Sequence, residues 1–237
     1  MGGRALGGEP LSRPGNGEGP GARPGAGSVQ GARPRNLGVM GGTFDPIHVG
    51  HLAVAEEARE VLGLERILFV PAGQPPHKAA SHVSAAEHRV AMVELAIADN
   101  PAFELSRIEI DRPGPSYTVD TLEALVAGGD LLTVILSAET FAELPTWHEP
   151  GRLFEAARVA VAPRWGYPAP DPGWLTATFP GREDRVRYLE GPRLGVSSTA
   201  LRARVAAGRS IRYLVPQPVA AYIAAHNLYA ERRPASS

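Results

Sequence analysis

Cysteine is absent from this chain, so no disulfide framework can form and any metal site would have to rely on histidine and carboxylate ligands. No apolar stretch approaches the roughly 20 residues that a membrane-spanning helix needs. Net charge is also nearly absent: 24 Lys and Arg stand against 25 Asp and Glu, giving -1. There is thus no global basic field to attract nucleic acid. The expectation is a cytoplasmic protein with small-molecule partners, no nucleic acid and no membrane, with a homo-oligomer left open. At 237 residues and 43% hydrophobic content, the chain can bury one good core.

Residues 1–36 lack any periodic apolar pattern and carry 11 Gly, 5 Pro and 5 Arg against 2 Glu. Such a stretch cannot bury enough surface to offset the cost of ordering it, so it reads as a disordered tail. It also lacks the apolar segment of a signal peptide. An Arg-rich arm for nucleic acid and a start codon assigned too far upstream are the alternatives. The domain is expected over 37–230, followed by a flexible C-terminus at 231–237.

From Asn36 onward, apolar runs alternate with helical patterns. Strands are expected at Leu37–Met40, Arg66–Val70, Phe103–Ile110, Leu131–Leu136, Arg158–Ala162 and Val186–Leu189. Helices are expected at Ala85–Ala98, Thr118–Val126, Ser198–Ala207 and Pro218–Asn227, with a Pro- and Gly-rich surface excursion over Pro163–Pro180. Strand and helix in turn predict an α/β fold: an open parallel sheet, helices on both faces, and a small helical region at the C-terminal end.

Residues 41–51 read GGTFDPIHVGH, between an apolar run and a helical pattern that begins at Leu52. Gly41 and Gly42 permit a sharp turn with positive φ and close backbone approach to a ligand, and the N–H groups of the helix start favour an anion. A phosphate-bearing substrate follows. His48 and His51, three residues apart, can both face that anion as donors. A zinc half-site is the competing reading, but no further ligands of suitable spacing lie nearby.

Ser197, Ser198 and Thr199 predict a helix start that could hold phosphate oxygens, with Arg202 one turn on; a plain helix cap is the alternative. Thr118, after Ser116 and Tyr117, offers a helix start to a smaller anion such as a carboxylate. Trp147 lies in a loop where a flat ring could stack, although packing is the commoner use of a lone Trp. His77 and Lys78 follow a loop too rich in Gly and Pro to be helical, and Lys78 could serve phosphate as a point charge.

The segment GGTFDPIHVGH resembles the HxGH signature of the nucleotidyltransferase superfamily, in the form found in bacterial nicotinate mononucleotide adenylyltransferases. GVSSTALR at 195–202 resembles that family's ISSTxxR motif. Leu214-Val215-Pro216 with Val219, Tyr222, Ile223, Leu228 and Tyr229 is similar to its C-terminal helix, and Pro76-His77-Lys78, Ser116-Tyr117-Thr118, Asp120-Thr121-Leu122 and Trp147 fall in its order. The resemblance spans roughly Leu37 to Tyr229. It implies a Rossmann-like fold and transfer of AMP from ATP to nicotinate mononucleotide, in NAD biosynthesis.

On this resemblance Gly41, Gly42, Thr43, Phe44, His48, His51, Ser197, Ser198, Thr199 and Arg202 would bind ATP. His48, His51, Arg202 and Lys78 would be catalytic, and Tyr117, Thr118, Trp147 and Glu139 would meet the mononucleotide. Mg²⁺ would come with the ATP phosphates, with no protein metal site. One departure stands out. Ser137-Ala138-Glu139 replaces the usual Gly, small residue and Asp, and Glu is a methylene longer, which bears directly on its contact with a ribose or nearby hydroxyl. A pantetheine-phosphate adenylyltransferase, a glycerol-phosphate cytidylyltransferase and a non-catalytic nucleotide sensor are the alternatives. A class I aminoacyl-tRNA synthetase would need a tRNA-binding domain, for which this length leaves no room.

Overall fold

The computed structural model describes residues 33–74 and 83–230. The expected disordered tail up to residue 32, the flexible 231–237 segment, and His77 and Lys78 all lie outside the described residues.

Six strands form one all-parallel sheet: β1 (Asn36–Gly42), β2 (Arg66–Pro71), β3 (Phe103–Leu105), β4 (Leu131–Ser137), β5 (Ala157–Ala162) and β6 (Val186–Tyr188). Their spatial order is β3-β2-β1-β4-β5-β6. The order reverses between β1 and β4, which opens a crevice beyond their carboxyl ends. β1 takes in Asn36, and Arg35 just before it donates to the Asp130 carboxylate at 2.7 Å.

Eight helices cover the sheet among the described residues: α1 (Val49–Leu62), α2 (Ala86–Ile97), α3 (Thr118–Val126), α4 (Ala138–Ala142), α5 (Pro150–Ala156), α6 (Pro172–Thr178), α7 (Ser198–Ala206) and α8 (Gln217–Ala225). Because strand side chains alternate between faces, each strand feeds two cores. Met40, Ile67, Phe69 and Ile135 pack with α1, α2, α7 and α8, through residues such as Ala55, Met92, Leu201 and Val219. Val39, Leu68, Val70 and Val134 pack with α3 to α6, through Leu122, Phe141, Phe154 and Leu175. Helices therefore lie on both faces, as the alternating pattern predicts.

Three sequence expectations are corrected. The strand expected over Phe103–Ile110 stops at Leu105, because β3 is an edge strand with only β2 beside it; Ile108 then packs into the second core without joining the sheet. The surface excursion over Pro163–Pro180 contains α6, whose start is marked by Asp171 accepting from the Trp174 N–H at 2.7 Å and by Pro172 at its first turn, a pairing that favours helix initiation. Gly41 and Gly42 do not take positive φ. They complete β1 opposite Val70 and Pro71, and the turn is made at Phe44 (φ 50°), whose buried ring repays the left-handed backbone. A Cβ on Gly42 would stand 3.1 Å from that ring.

Candidate active site

A cavity of about 460 Å³ opens at the carboxyl ends of β1 and β4. Gly41, Gly42, Thr43, His48 and His51 line one side; Tyr117, Thr118, Glu139 and Trp147 line the other. Strand order makes this meeting possible, since β1 and β4 are neighbours although distant in sequence.

His48 is the N-cap residue of α1 and is 4% exposed. Its backbone N–H donates to His51 Nδ1 at 3.2 Å. An imidazole nitrogen that accepts carries no proton, so neutral His51 holds its proton on Nε2. The two rings stack with centroids 3.7 Å apart, and the edge of Phe44 meets His51 at 5.1 Å. Burial, assisted by the charge of Arg164, pushes the His48 pKa down to about 4. His48 is thus neutral near pH 7, and its Nδ1 is the one buried side-chain polar atom without a hydrogen-bond partner among the described residues.

The loop between β1 and α1 is held by groups from four other parts of the chain. Asp45, 2% exposed, accepts from the Tyr229 hydroxyl at 2.6 Å and from the Ser84 N–H at 3.1 Å. Arg89, equally buried, donates to the Thr43 carbonyl at 2.9 Å and the Ser84 carbonyl at 3.1 Å. Ser198 Oγ donates to the Pro46 carbonyl at 2.9 Å, and Arg202 donates to the Asp45 carbonyl at 2.7 Å. Ser197 caps α7 by accepting from the Ala200 N–H at 3.2 Å, while Thr199 Oγ1 stands 3.4 Å from Arg202. The GVSSTALR segment therefore packs its polar groups against the GGTFDPIHVGH loop, and Val196 is its member in the cavity wall.

On the opposite wall, Tyr117 is the N-cap residue of α3, and its ring lies 4.3 Å from that of His148. Ser116 serves the fold: its Oγ accepts from the Gly73 and Gln74 N–H groups at 2.9 and 3.1 Å. Gly73 must be glycine, since a Cβ there would lie 2.1 Å from the Glu109 carbonyl oxygen. Trp147 follows a 3-10 turn at Leu144–Thr146, and its backbone N–H donates to the Leu144 carbonyl at 3.0 Å. Glu139 is paired with Arg164 at 2.6 Å, so its longer side chain is occupied by a cation that also lines the cavity.

The family described as Cytidylyltransferase-like matches residues 39–204. A "Probable nicotinate-nucleotide adenylyltransferase" of Roseiflexus sp. (strain RS-1) is 53% identical over 194 residues, covering 81% of this chain and 97% of the relative. One of the same description from Thermus thermophilus is 46% identical, over 81% and 98%. The chain belongs to the nicotinate-nucleotide adenylyltransferase family.

In fold it is similar to a Plasmodium falciparum nicotinic acid mononucleotide adenylyltransferase complexed with NaAD, with a TM-score of 0.69 at 19% identity, over 82% of this chain and 97% of that one. The Cytidylyltransferase-like match contains both the GGTFDPIHVGH and GVSSTALR segments, whereas α8 and Tyr229 lie beyond it. The contact from Tyr229 to Asp45 thus ties the family's first motif to a segment outside the match.

Sequence reasoning missed Asp45, Arg89 and Arg164. Arg164 follows the carboxyl end of β5, a position next to the crevice of an open parallel sheet, and could have been found on that ground. A buried charge such as Arg89 leaves no local signal. Among the described residues, no group of three or more His, Cys, Asp or Glu could hold a metal ion.

Proposed function

We propose that this protein transfers the AMP moiety of ATP to nicotinate mononucleotide, giving nicotinate adenine dinucleotide and pyrophosphate, in the cytoplasm and for NAD biosynthesis. The carrying observation is the cavity at the reversal of strand order, walled by the stacked pair His48 and His51 on one side and by Tyr117, Thr118 and Trp147 on the other.

In this reading an oxygen of the acceptor's 5′-phosphate attacks the α-phosphorus in line. The α,β-bridging P–O bond breaks, and its electron pair leaves with pyrophosphate. The attacking phosphate is already ionised at neutral pH, so no enzyme nucleophile is needed and catalysis rests on positioning and electrostatics. His51, with its proton on Nε2, donates to the α-phosphate, and neutral His48 assists from beside it. Gly41, Gly42, Thr43 and Phe44 shape the loop against ATP. Ser198 and Arg202 order that loop through the Pro46 and Asp45 carbonyls, Ser197 and Thr199 complete the start of α7 beside them, and the phosphate roles of all four, like that of Lys78, are assigned on family resemblance. Mg²⁺ bound to the ATP phosphates would supply charge neutralisation on the leaving group.

The start of α3 at Tyr117 and Thr118 receives the nicotinate carboxylate, and Trp147 stacks on the pyridine ring. Glu139, engaged with Arg164, meets the acceptor through that pair. The deciding assay is pyrophosphate release with ATP and each of nicotinate mononucleotide, nicotinamide mononucleotide and pantetheine phosphate. Nicotinate mononucleotide should lead, and a higher kcat/KM with pantetheine phosphate would replace this reading.

A further inference from the structure

A buried polar relay stands behind the start of α3. Glu109 is 6% exposed and lines the cavity, and its Oε1 accepts from the Thr121 hydroxyl at 2.8 Å. That hydroxyl in turn accepts from Arg112 Nη2 at 3.1 Å, and the same nitrogen donates to the carbonyl of Tyr117, the N-cap residue, at 3.4 Å. A buried carboxyl and a guanidinium are therefore fixed beside the start of α3, whose first turn also carries Asp120. Neither belongs to the phosphate-handling side of the cavity.

We propose that Arg112 and Glu109 are a specificity-determining charge pair. Arg112 makes the start of α3 attractive to the acceptor's carboxylate, and Glu109 opposes it and limits how strongly nicotinate is preferred to nicotinamide. The proposal rests on the reading that the carboxylate sits at Tyr117 and Thr118. A helix start alone contributes about half a charge, so an anion as close as Glu109 would weaken or cancel it unless a cation compensates. Burial, with the charge of Asp120, holds the Glu109 carboxyl above the usual carboxylate range against the opposing bonds from Thr121 and Ser116 and the charge of Arg112. Both mononucleotides carry a phosphate and a cationic pyridine ring, so those contributions cancel in the ratio of their kcat/KM values, and only the carboxylate distinguishes them.

The test is that ratio, nicotinate over nicotinamide mononucleotide, measured at about pH 8 on the full chain, well above the ordinary carboxylate range. Arg112→Gln should lower it by about tenfold, Arg112→Lys should retain most of it, and Glu109→Gln should raise it by about tenfold, as expected for charges acting at short range. Thr121→Val breaks the relay but keeps both charges, so it should leave the ratio in place even if kcat falls. A purely structural role would move Thr121→Val with the others and would not give opposite signs for Arg112→Gln and Glu109→Gln. If the unaltered enzyme prefers nicotinate but neither charge-removing variant shifts the ratio, the pair has no role in specificity. If Arg112→Gln does not fold, Glu109→Gln decides alone. If the unaltered enzyme shows no preference, the placement of the carboxylate at α3 fails, and this inference with it.

Discussion

The Tyr229 hydroxyl donates to the Asp45 carboxylate at 2.6 Å, joining two residues 184 positions apart. It closes the C-terminal end of the chain onto the loop that carries His48. Burial, then the bond to Asp45, raises the Tyr229 pKa, so the phenol stays a donor across the working pH range. Removing it leaves a buried carboxylate short of a partner, at a cost of about 1–3 kcal/mol. Tyr229→Phe should therefore lower the thermal midpoint and, by loosening the loop, reduce kcat by roughly tenfold. Thermal unfolding and steady-state kinetics on the same preparation check both; unchanged kcat would detach the clasp from catalysis.

His51→Ala removes the Nε2 donor from the cavity and the Nδ1 acceptor from the His48 N–H. Turnover should fall by roughly a hundredfold or more, the usual result of losing one donor to a developing charge. The lost capping contact should cost only about 1 kcal/mol. A variant with near-full kcat would mean that the histidine pair does not carry the chemistry.

His48 gives a pH signature. Its pKa falls from 6.5 to about 4 on folding, so the unfolded chain binds its proton first as pH drops. The stability that comes from keeping His48 neutral is complete above about pH 6.5 and is lost as pH falls toward about 4, an effect of about 3 kcal/mol. Denaturant unfolding at about pH 7.5 and about pH 4.5, either side of most of that window, should show a larger loss for the unaltered protein than for His48→Gln. Identical losses would place His48 in water.

Trp147→Ala should raise KM for nicotinate and nicotinamide mononucleotides by similar factors, roughly tenfold, because stacking reads the ring and not its substituent. The ratio between the two acceptors should survive. A loss confined to nicotinate would give Trp147 a role in reading charge.

Deleting residues 1–32 should leave turnover and thermal midpoint unchanged. The stretch offers no apolar pattern to a core, and the cut spares Arg35, whose guanidinium and backbone N–H both bond Asp130. Kinetics and a melting curve of the shortened chain decide it.

The sequence by itself determined what depends on near neighbours. Strand runs such as Leu131–Leu136, the helices at 86–97 and 118–126, and the GGTFDPIHVGH and GVSSTALR segments were all legible, because periodicity and helix-start chemistry act over a few residues. Short helices escaped it: α4 has 5 residues and α5 has 7, too few for a period to register.

Only the tertiary structure decided which distant groups meet. The sheet order places the segment after β4, with Trp147, beside the segment after β1, with His48. It also assigns Glu139 to Arg164, Ser116 to the Gly73 and Gln74 backbone, and Arg202 to the Asp45 carbonyl. Periodicity says which face a side chain occupies, whereas a hydrogen bond or an ion pair depends on angstrom-scale distances that only strand order and packing fix.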